Sequence, residues 1–467
     1  MGDDWFLPHL GQFRDRTALI WRENSYTYGE LLDRVDAWRR LLQQHGVKPG
    51  ECVALHGGFS PGTATLLLAL IAERNIALPL TTAVQAERDK ALEITAASWL
   101  VTFDRDDSST VERVNVGQVV NLPPQSNPPP HPLIAEFRKT GEAGMIMLSS
   151  GSTGNVKASL HSFSRILARY HGRSTSPYRS LAFLMLDHVG GINTLLHILS
   201  SGGTIVTLAQ RTPEAICRGI ERHKVQLLPT TPTFLRMLLI SEDYKKYDLS
   251  SLQLISYGTE PMPKATLDAL HAALPGIRLK QTYGLTEVGV LPTKSEGDDS
   301  LWLAVGGKGY ETKVVDGVLW IRSQSSMIGY LNAPSPFDAE GWMNTGDLVE
   351  QKGDYIRFLG RKSEIINIGG EKVFPAEVEN VIQQLDNIKD VTVRGRASPI
   401  TGNIIIATVE LQQPEDPDAL EERVRAACRQ QLAPFKVPAM VEIASETLCG
   451  ERFKKKRRAN QKSGLSK

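Results

Sequence analysis

Small polar residues and one lysine follow a strand-like apolar run between residues 145 and 157. The run at 145–148 leads directly into Ser-Ser-Gly-Ser-Thr-Gly-Asn-Val-Lys. Glycines let backbone N–H groups turn toward an anion, while hydroxyls and a lysine add donors and charge. The spacing differs from that of the Walker A loop. We therefore predict a phosphate-binding loop, with a Ser- and Gly-rich surface turn as the alternative. Its candidate ligands are Ser149, Ser150, Gly151, Ser152, Thr153, Gly154 and Lys157.

Further motifs follow in a definite order along the chain. They are Asp187-His188-Val189-Gly190-Gly191, Tyr257-Gly258-Thr259-Glu260, Tyr283-Gly284-Leu285-Thr286-Glu287, Thr345-Gly346-Asp347, Gly360-Arg361-Lys362-Ser363, Gly369-Gly370-Glu371-Lys372 and Phe453-Lys454-Lys455-Lys456-Arg457-Arg458. Together with the loop, this series resembles the ANL superfamily of adenylate-forming enzymes, which includes acyl- and aryl-CoA synthetases, adenylation domains and luciferases. The resemblance covers most of the chain, and Tyr-Gly-x-Thr-Glu is its most specific motif.

The resemblance implies an ATP site and assigns a role to each nucleotide-binding side chain. Tyr283 offers a flat face to adenine, and Thr286 donates to the α-phosphate. Glu287 is a hard oxygen ligand for Mg²⁺, which neutralises the phosphates. The Asp347 carboxylate accepts hydrogen bonds from both ribose hydroxyls, and Arg361 reaches the ribose.

The same resemblance places Gly258, Thr259 and Glu260 on the adenine side of the nucleotide. The family usually has small residues after this glycine, so Thr259 and Glu260 are unusual here. A solvated loop carboxylate is the alternative interpretation of Glu260.

An acyl pocket is implied beside the nucleotide. Its predicted residues are His188, Val189, Gly190, Tyr257 and Gly284. The resemblance gives His188 a gating role at this pocket, although a lone histidine is as often structural. At Gly284 a side chain would shorten the pocket.

The tail and the segment after residue 360 carry the remaining predicted roles. In the family a tail lysine bridges the carboxylate and the α-phosphate during adenylation, where stabilising developing charge is usually the largest catalytic contribution. Lys454 is favoured for this role, and Lys455 fits the spacing equally well. Ser363 occupies the hinge position of a domain rotation. Gly369 and Gly370 are expected to line a pantetheine tunnel, with a plain glycine turn as the alternative.

Helical and strand-like segments alternate along most of the chain, and these elements must position the motifs. The clearest helical period covers residues 28–44. Short apolar runs typical of buried strands lie at 52–55, 144–148, 180–186 and 204–208. The alternation predicts an α/β fold with layered, mostly parallel sheets.

The pattern of predicted secondary structure changes twice toward the C-terminus. Short strands separated by Gly, Asn and Asp turns predict a small β-rich subdomain at about 305–358. Alternating strand and helix patterns after residue 360 predict a smaller α+β domain. We therefore predict an N-terminal ATP- and acyl-binding domain at 1–360 and a mobile C-terminal domain at 361–467.

Composition excludes several classes of protein. The formal net charge of +1 gives no basis for nucleic-acid binding through bulk charge. The four cysteines are scattered, without the spacing of a zinc site or a disulfide framework. The acidic N-terminus does not resemble a signal peptide, and no apolar run reaches the roughly 18 residues of a membrane helix. We expect a cytoplasmic protein without membrane or nucleic-acid partners, as a monomer or homodimer.

The sequence therefore predicts an AMP-forming acid–thiol ligase. ATP, Mg²⁺ and coenzyme A are the expected cofactors, and an aryl or medium-sized apolar carboxylic acid is the expected substrate. One alternative is an adenylating enzyme that loads the phosphopantetheine of an acyl carrier protein. Another uses a non-thiol acceptor such as an amine. A non-catalytic homologue is the remaining alternative, and the intact Thr286, Glu287, Asp347 and Arg361 argue against it.

Overall fold

A computed structural model describes residues 4–114, 131–150, 156–172, 176–398, 402–450 and 455. Several helices begin at residues suited to capping, as at Thr27, whose side chain and that of Glu30 each accept from the other's backbone N–H. Within these residues the helices are Phe6–Leu10 (α1), Tyr28–Gln44 (α2), Pro61–Ala72 (α3), Gln85–Thr95 (α4), Pro132–Arg138 (α5), Phe163–Ala168 (α6), Val189–Ser200 (α7), Pro213–His223 (α8), Pro232–Ser241 (α9), Lys264–Ala273 (α10), Pro375–Ile382 (α11) and Pro417–Gln431 (α12). Short 3-10 turns lie at Gly11–Phe13, Asp243–Lys245, Lys362–Glu364 and Pro434–Lys436.

The first large sheet has seven strands in the described part of the chain. In spatial order they are Arg278–Gln281 (β13), Leu254–Tyr257 (β12), Leu227–Thr230 (β11), Arg179–Leu181 (β9), Thr204–Thr207 (β10), Thr17–Trp21 (β1) and Asn24–Thr27 (β2). All neighbouring pairs are parallel except β1 and β2. The carboxyl ends of the parallel strands therefore lie at one edge, where ligands of open α/β sheets bind.

The second large sheet carries the predicted phosphate loop. Its strands, as far as the chain is described, are Gly329–Tyr330 (β20), Val156–Ser162 (β8), Gly144–Ser150 (β7), Ile76–Leu80 (β4), Cys52–His56 (β3), Trp99–Phe103 (β5) and Ser109–Arg113 (β6). Strands β7, β4, β3 and β5 are parallel, and the pairs β20–β8, β8–β7 and β5–β6 are antiparallel. The loop therefore connects two paired strands.

A helix without a polar face joins the two sheets. Every residue of α3 from Pro61 to Ile71 is buried, as expected for a helix that is apolar all round. One hydrophobic cluster contains this helix together with Leu19 of the first sheet and Val53 and Met145 of the second. The main core thus lies between the sheets.

A six-stranded antiparallel sheet follows, counted over the described residues. Its strands are Thr293–Ser295 (β16), Leu303–Val305 (β17), Tyr355–Arg361 (β22), Met343–Lys352 (β21), Val318–Ser323 (β19) and Tyr310–Val315 (β18). A short hairpin of Gly284–Leu285 (β14) and Gly289–Val290 (β15) precedes it. This is the predicted β-rich subdomain, and it begins slightly earlier than the sequence indicated.

The C-terminal part has a core of its own. Its strands are Ile366–Ile368 (β23), Glu371–Val373 (β24), Ile388–Ser398 (β25), Gly402–Leu411 (β26) and Met440–Ile443 (β27). Val378 of α11, Val391 of β25 and Val424 of α12 belong to one separate hydrophobic cluster. The predicted class, a large α/β N-terminal domain and a smaller α+β C-terminal domain, is confirmed. The boundary at 360/361 stays a prediction and falls at the end of β22.

One arginine of the N-terminal part docks onto the C-terminal part. The Arg236 guanidinium of α9 donates to the carbonyl oxygens of Gln383, Ile388 and Lys389 at 2.9, 2.8 and 3.0 Å. Gln383 ends α11, where unpaired carbonyls and the helix dipole favour a cation. Burial lowers the pKa of Arg236. Three hydrogen bonds from one side chain therefore fix this arrangement of the two parts.

The run at 180–186 is the main local difference from the sequence prediction. The strand ends at Leu181, and residues 182–188 form a loop into α7. The backbone of this loop passes so close to Gly191 that a Cβ there would lie 1.9 Å from the Met185 carbonyl oxygen. Of the described helices, none is long and apolar enough to cross a membrane.

We expect Gly191→Ala to lower the free energy of unfolding by about 1–3 kcal/mol, because the loop or the helix start must shift to admit the Cβ. The matched control is Gly11→Ala, where a Cβ meets nothing within 4 Å. Urea unfolding followed by circular dichroism measures both. Equal urea midpoints for the two variants would show that the loop moves to admit the Cβ without a loss of stability.

Candidate active site

A buried carboxylate joins the parallel sheet to the antiparallel one. Asp347 on β21 is directly opposite Arg361 on β22, and the Arg361 Nε donates to its Oδ1 at 3.1 Å. The Tyr283 hydroxyl, two residues after β13, donates to its Oδ2 at 2.6 Å. Asp347 is only 7% exposed. The structure thus brings together the three side chains predicted to bind adenine and ribose.

Burial sets the proton positions in this group. It raises the pKa of the Asp347 carboxyl, whereas Arg361 and the Tyr283 hydroxyl act in the opposite direction. Burial and the neighbouring Asp347 raise the pKa of Tyr283 well above its ordinary value. The phenol therefore keeps its proton at neutral pH and remains the donor to Asp347.

An aromatic residue absent from the sequence prediction supports Tyr283. The rings of Phe358 and Tyr283 are stacked, with centroids 4.5 Å apart and planes 21° from parallel. Phe358 covers one face of the tyrosine, and Tyr283 also lines the large cavity described below. An aromatic residue three positions before Arg361 was the only sequence signal for this contact.

The phosphate-loop prediction is only partly within the described residues. Ser149 and Ser150 end β7, and Lys157 lies in β8 directly opposite Ser149. The predicted ligands Gly151, Ser152, Thr153 and Gly154 lie outside the described residues. Asn332 anchors the start of β8, because its side chain donates to the Val156 carbonyl at 2.7 Å and accepts from the Ala158 N–H at 3.0 Å.

One tyrosine connects the phosphate strand to the predicted metal ligand. The Lys157 Nζ lies 5.0 Å from the centroid of the Tyr330 ring, and the Tyr330 hydroxyl donates to Oε1 of Glu287. Tyr330 belongs to β20, which pairs with β8. A cation suited to phosphate and a carboxylate suited to Mg²⁺ are therefore close together, and the bond from Tyr330 orients the carboxylate. Half-buried Thr286 is the residue just before Glu287.

A cavity of about 730 Å³ adjoins Tyr283. It lies along the face of β11, β12 and β13 and is bordered by α7. Its lining includes the predicted site residues His188, Val189, Gly190, Gly258, Thr259, Tyr283 and Gly284. At Gly284 a Cβ would lie 2.7 Å from the Gly289 carbonyl oxygen, so the hairpin itself requires this glycine.

His188 has a clear local role at the cavity wall. It precedes α7 as its capping residue, and its Nδ1 accepts from the Gly190 N–H at 3.0 Å. This bond orients the ring and leaves Nε2 as the nitrogen directed away from the cap. A gating role for His188 stays a prediction.

Tyr257 and Glu260 are corrections to the sequence prediction. Tyr257 is 1% exposed and packs in the core of the first sheet. Side chains alternate along β12, so Ser256 faces the cavity and Tyr257 faces the opposite side. Thr259 is exposed, with φ at +74°.

Glu260 is absent from the described lining of the large cavity. Its carboxylate accepts from the N–H of Thr233 at 2.8 Å, near the N-terminus of α9. It lines a smaller cavity of about 340 Å³ between the two parts of the chain. The helix N-terminus favours an anion, which explains the position of Glu260.

Lys455 is held inside the C-terminal part. Its Nζ lies 3.1 Å from the Glu379 carboxylate, 3.5 Å from Asp390 and 3.1 Å from the Val391 carbonyl oxygen. These three partners of the ammonium group lie beyond the predicted hinge and would move with it in a rotation. The Lys455 N–H also donates to the Glu260 carboxylate of the N-terminal part at 3.4 Å. Lys454, favoured from the sequence, lies outside the described residues.

The predicted hinge and tunnel residues are exposed in this arrangement. Ser363 lies in the turn Lys362–Glu364. Gly369 and Gly370 form the turn of the β23–β24 hairpin with φ of +57° and +94°, values that favour glycine. A Cβ at either position would meet nothing within 4 Å, so both glycines face solvent here.

The chain is similar to known ligases over nearly its whole length. An indoleacetate–CoA ligase from Aromatoleum aromaticum is 27% identical, covering 95% of this chain and 94% of its own. The 3-[(3aS,4S,7aS)-7a-methyl-1,5-dioxo-octahydro-1H-inden-4-yl]propanoyl:CoA ligase of Mycobacterium tuberculosis is 28% identical, covering 92% of each chain. The structure of an anthranilate CoA ligase in complex with anthranoyl-AMP has the same fold, with a TM-score of 0.80 at 21% identity over 97% of this chain and 95% of that one.

Family models match both parts of the chain. Residues 377–450 match the C-terminal domain of AMP-binding enzymes, and residues 8–331 match the AMP-binding enzyme model itself. The resemblance to adenylate-forming ligases is thereby confirmed: the chain belongs to the AMP-binding enzyme family.

Proposed function

We propose that the protein activates an aryl or medium-sized, largely apolar carboxylic acid with ATP and transfers the acyl group to coenzyme A. One observation carries the proposal. A cavity of about 730 Å³ opens beside Tyr283, whose hydroxyl is bound to Asp347, so an acid and a nucleoside can meet there. Cavities of this size are typical of sites for small organic ligands.

In the first step the substrate carboxylate attacks the α-phosphorus of ATP, and pyrophosphate leaves with the electrons of the broken P–O bond. A carboxylic acid is already ionised at neutral pH, so no general base is required. Catalysis then consists mainly of positioning and charge neutralisation. Tyr283, Asp347 and Arg361 hold the nucleoside, and Thr286 donates to the α-phosphate.

Residues at the base of the phosphate loop are placed to neutralise the charge of the departing pyrophosphate. Lys157 supplies a cation, and Tyr330 fixes the Glu287 carboxylate. Mg²⁺ held by Glu287 would neutralise the phosphate oxygens and orient them. Lys454 is assigned to the attacking carboxylate and the α-phosphate oxygen.

In the second step the thiol of coenzyme A loses its proton to solvent, its sulfur attacks the acyl carbonyl carbon, and AMP leaves with the electrons of the C–O bond. This step requires Gly369 and Gly370 to turn from solvent toward the acyl-adenylate by rotation about Ser363. Both glycines sit in a tight hairpin without side chains, which suits the close approach of a thiol arm.

Acid-dependent pyrophosphate release tests the reaction itself. With ATP and Mg²⁺ but no thiol, an aryl or medium-sized acid should give pyrophosphate release that hydroxylamine increases by trapping the acyl-adenylate. Coenzyme A should then accelerate release and yield a thioester. Acceleration only by a pantetheinylated carrier protein would favour the carrier-loading alternative, and amide formation with an amine would favour the non-thiol alternative. ATP binding without release for any acid would contradict adenylation.

Substitution of Asp347 tests the predicted ribose-binding role of its carboxylate. Asp347→Asn should weaken ATP binding about 10- to 100-fold, because a charged acceptor for the ribose is lost. Wild-type affinity should fall on acidification, since protonation removes the acceptor. Because burial raises the pKa of this carboxyl, the fall should begin at a higher pH than for an exposed aspartate. Calorimetric titration with ATP across pH measures both effects.

Asp354→Asn is the matched control for this test, since Asp354 is an exposed residue in the turn of the same β21–β22 hairpin. It should leave ATP affinity and its pH dependence unchanged. If Asp347→Asn binds ATP with the wild-type affinity, Asp347 does not bind the ribose.

Substitutions at Lys454 and Lys455 distinguish which of the two tail lysines acts in adenylation. Lys454→Ala should lower acid-dependent pyrophosphate release about 10²- to 10³-fold, the usual effect of removing a group that stabilises developing charge. Lys455→Met should retain release but lower the unfolding temperature, because Glu379 and Asp390 lose their buried cation. The reverse pattern, with release lost only in Lys455→Met, would identify Lys455 as the catalytic lysine.

A further inference from the structure

The register of the first sheet places two basic residues on the cavity face. Ser256 of β12 is opposite Lys280 of β13, and Leu254 is opposite Arg278. Directly opposed residues of neighbouring strands share a face, and all four line the large cavity. The core-facing partner Ile255 lies on the other side. Lys280 and Arg278 therefore project on the side where the acid is expected.

More positive charge lies across this cavity. Arg169 also lines it, and its Nη1 donates to the Val290 carbonyl at 2.5 Å. Lys294 completes the basic set of the wall. Within the described lining, Asp298 is the one carboxylate, so four Lys and Arg side chains face a single acid.

The basic residues lack counter-charges of their own. Among the described residues, neither Lys280 nor Lys294 forms an ion pair within 4.0 Å, and Arg278 donates to the neutral hydroxyl of Tyr178 at 3.0 Å. Arg278 and Lys280 are exposed on the edge strand β13. Partial desolvation lowers the pKa of Lys280 most, and the neighbouring Arg278 and Arg169 lower it further by like-charge repulsion. Like charges without a partner repel, and a bound anion would remove that cost.

The distance between these cations and the reacting end of the cavity indicates the length of the acid. Gly258 and Tyr283 mark the end where the proposed function places the adenylate. Lys280 is paired with Ser256, which precedes Gly258 by two residues along β12. Arg278 is paired with Leu254, which precedes Gly258 by four residues. At about 3.3 Å per residue the cations lie roughly 7–13 Å along the strand from that end. This is the length of a phenyl ring with a short chain.

We propose that the activated acid carries a second anionic group at its far end, such as a distal carboxylate, which Lys280 binds together with Arg169 and Arg278. This inference rests on the proposed function and narrows its substrate class. The body of the acid remains apolar, because Leu184, Val189 and Leu291 also line the cavity. The cations recognise the end of the acid that does not react.

The test compares acids that differ only in the distal charge. Pyrophosphate release is measured without coenzyme A for 3-phenylpropanoate and 3-(4-carboxyphenyl)propanoate, and for the corresponding pentanoates. Wild type should prefer the di-acid in kcat/KM. Lys280→Gln should reduce that preference about tenfold or more, as loss of a charged hydrogen bond implies, whereas Lys280→Arg should largely retain it. The preference is a ratio within one protein sample, so partial misfolding does not alter it.

Lys313→Gln is the control, because Lys313 is an exposed lysine on β18 outside the cavity lining. It should keep the wild-type preference. Calorimetric binding of both acids gives a readout that needs no turnover. Tighter binding of the di-acid that Lys280→Gln abolishes would support the inference even if adenylation failed. Equal or better use of the mono-acid, an unchanged preference in Lys280→Gln, or an effect of Lys280 only on the KM for coenzyme A would overturn it.

Discussion

The bond between Tyr283 and the buried Asp347 carboxylate is the contact on which the rest of the site depends. It connects the end of a parallel strand to the antiparallel sheet, where Arg361 supplies the opposite charge. A buried carboxylate is stable only when it is hydrogen-bonded and paired, and these two partners satisfy that requirement. The cavity beside Tyr283 and the segment that follows Arg361 are positioned by the same contact.

The tail and the docking arginine define the arrangement of the C-terminal part. Arg236 binds three carbonyl oxygens of that part, while Lys455 is bound by carboxylates within it. The two interactions differ in consequence. A rotation about Ser363 would have to break the bonds of Arg236 and the bond from the Lys455 N–H to Glu260, whereas the Lys455 ammonium would keep Glu379 and Asp390. Because these carboxylates pair with the Lys455 ammonium, we assign the adenylation role to Lys454, the lysine already favoured from the sequence.

Much of the site could be predicted because its chemistry depends on residue type within short motifs. Tyr283, Asp347 and Arg361 were predicted from three separate motifs, and the structure brings them within hydrogen-bond distance. Tyr257 was assigned to the wrong face because a motif does not give strand phase, and a shift of one residue reverses the direction of a side chain. Glu260 was misplaced because the N-terminus of α9, which attracts it, is distant in the sequence.

The residues that sequence reasoning missed depend on long-range strand pairing. Tyr330 reaches Glu287 because β20 pairs with β8, more than 160 residues earlier in the chain. Phe358 likewise acquires its contact from register on β22, and the role proposed for Lys280 depends on the register of β13. The layered α/β fold was predictable because hydrophobic period is a local property, whereas these pairings are not local.

The central claim, transfer of the adenylyl group of ATP to a carboxylate, is tested most directly by isotope exchange. Labelled pyrophosphate is incubated with the protein, ATP, Mg²⁺ and an acid, in the absence of coenzyme A, and label in ATP is measured. The account predicts exchange that requires the acid and does not require the thiol. Exchange that is absent with every acid that binds, or cleavage of ATP to ADP in place of AMP, would contradict it.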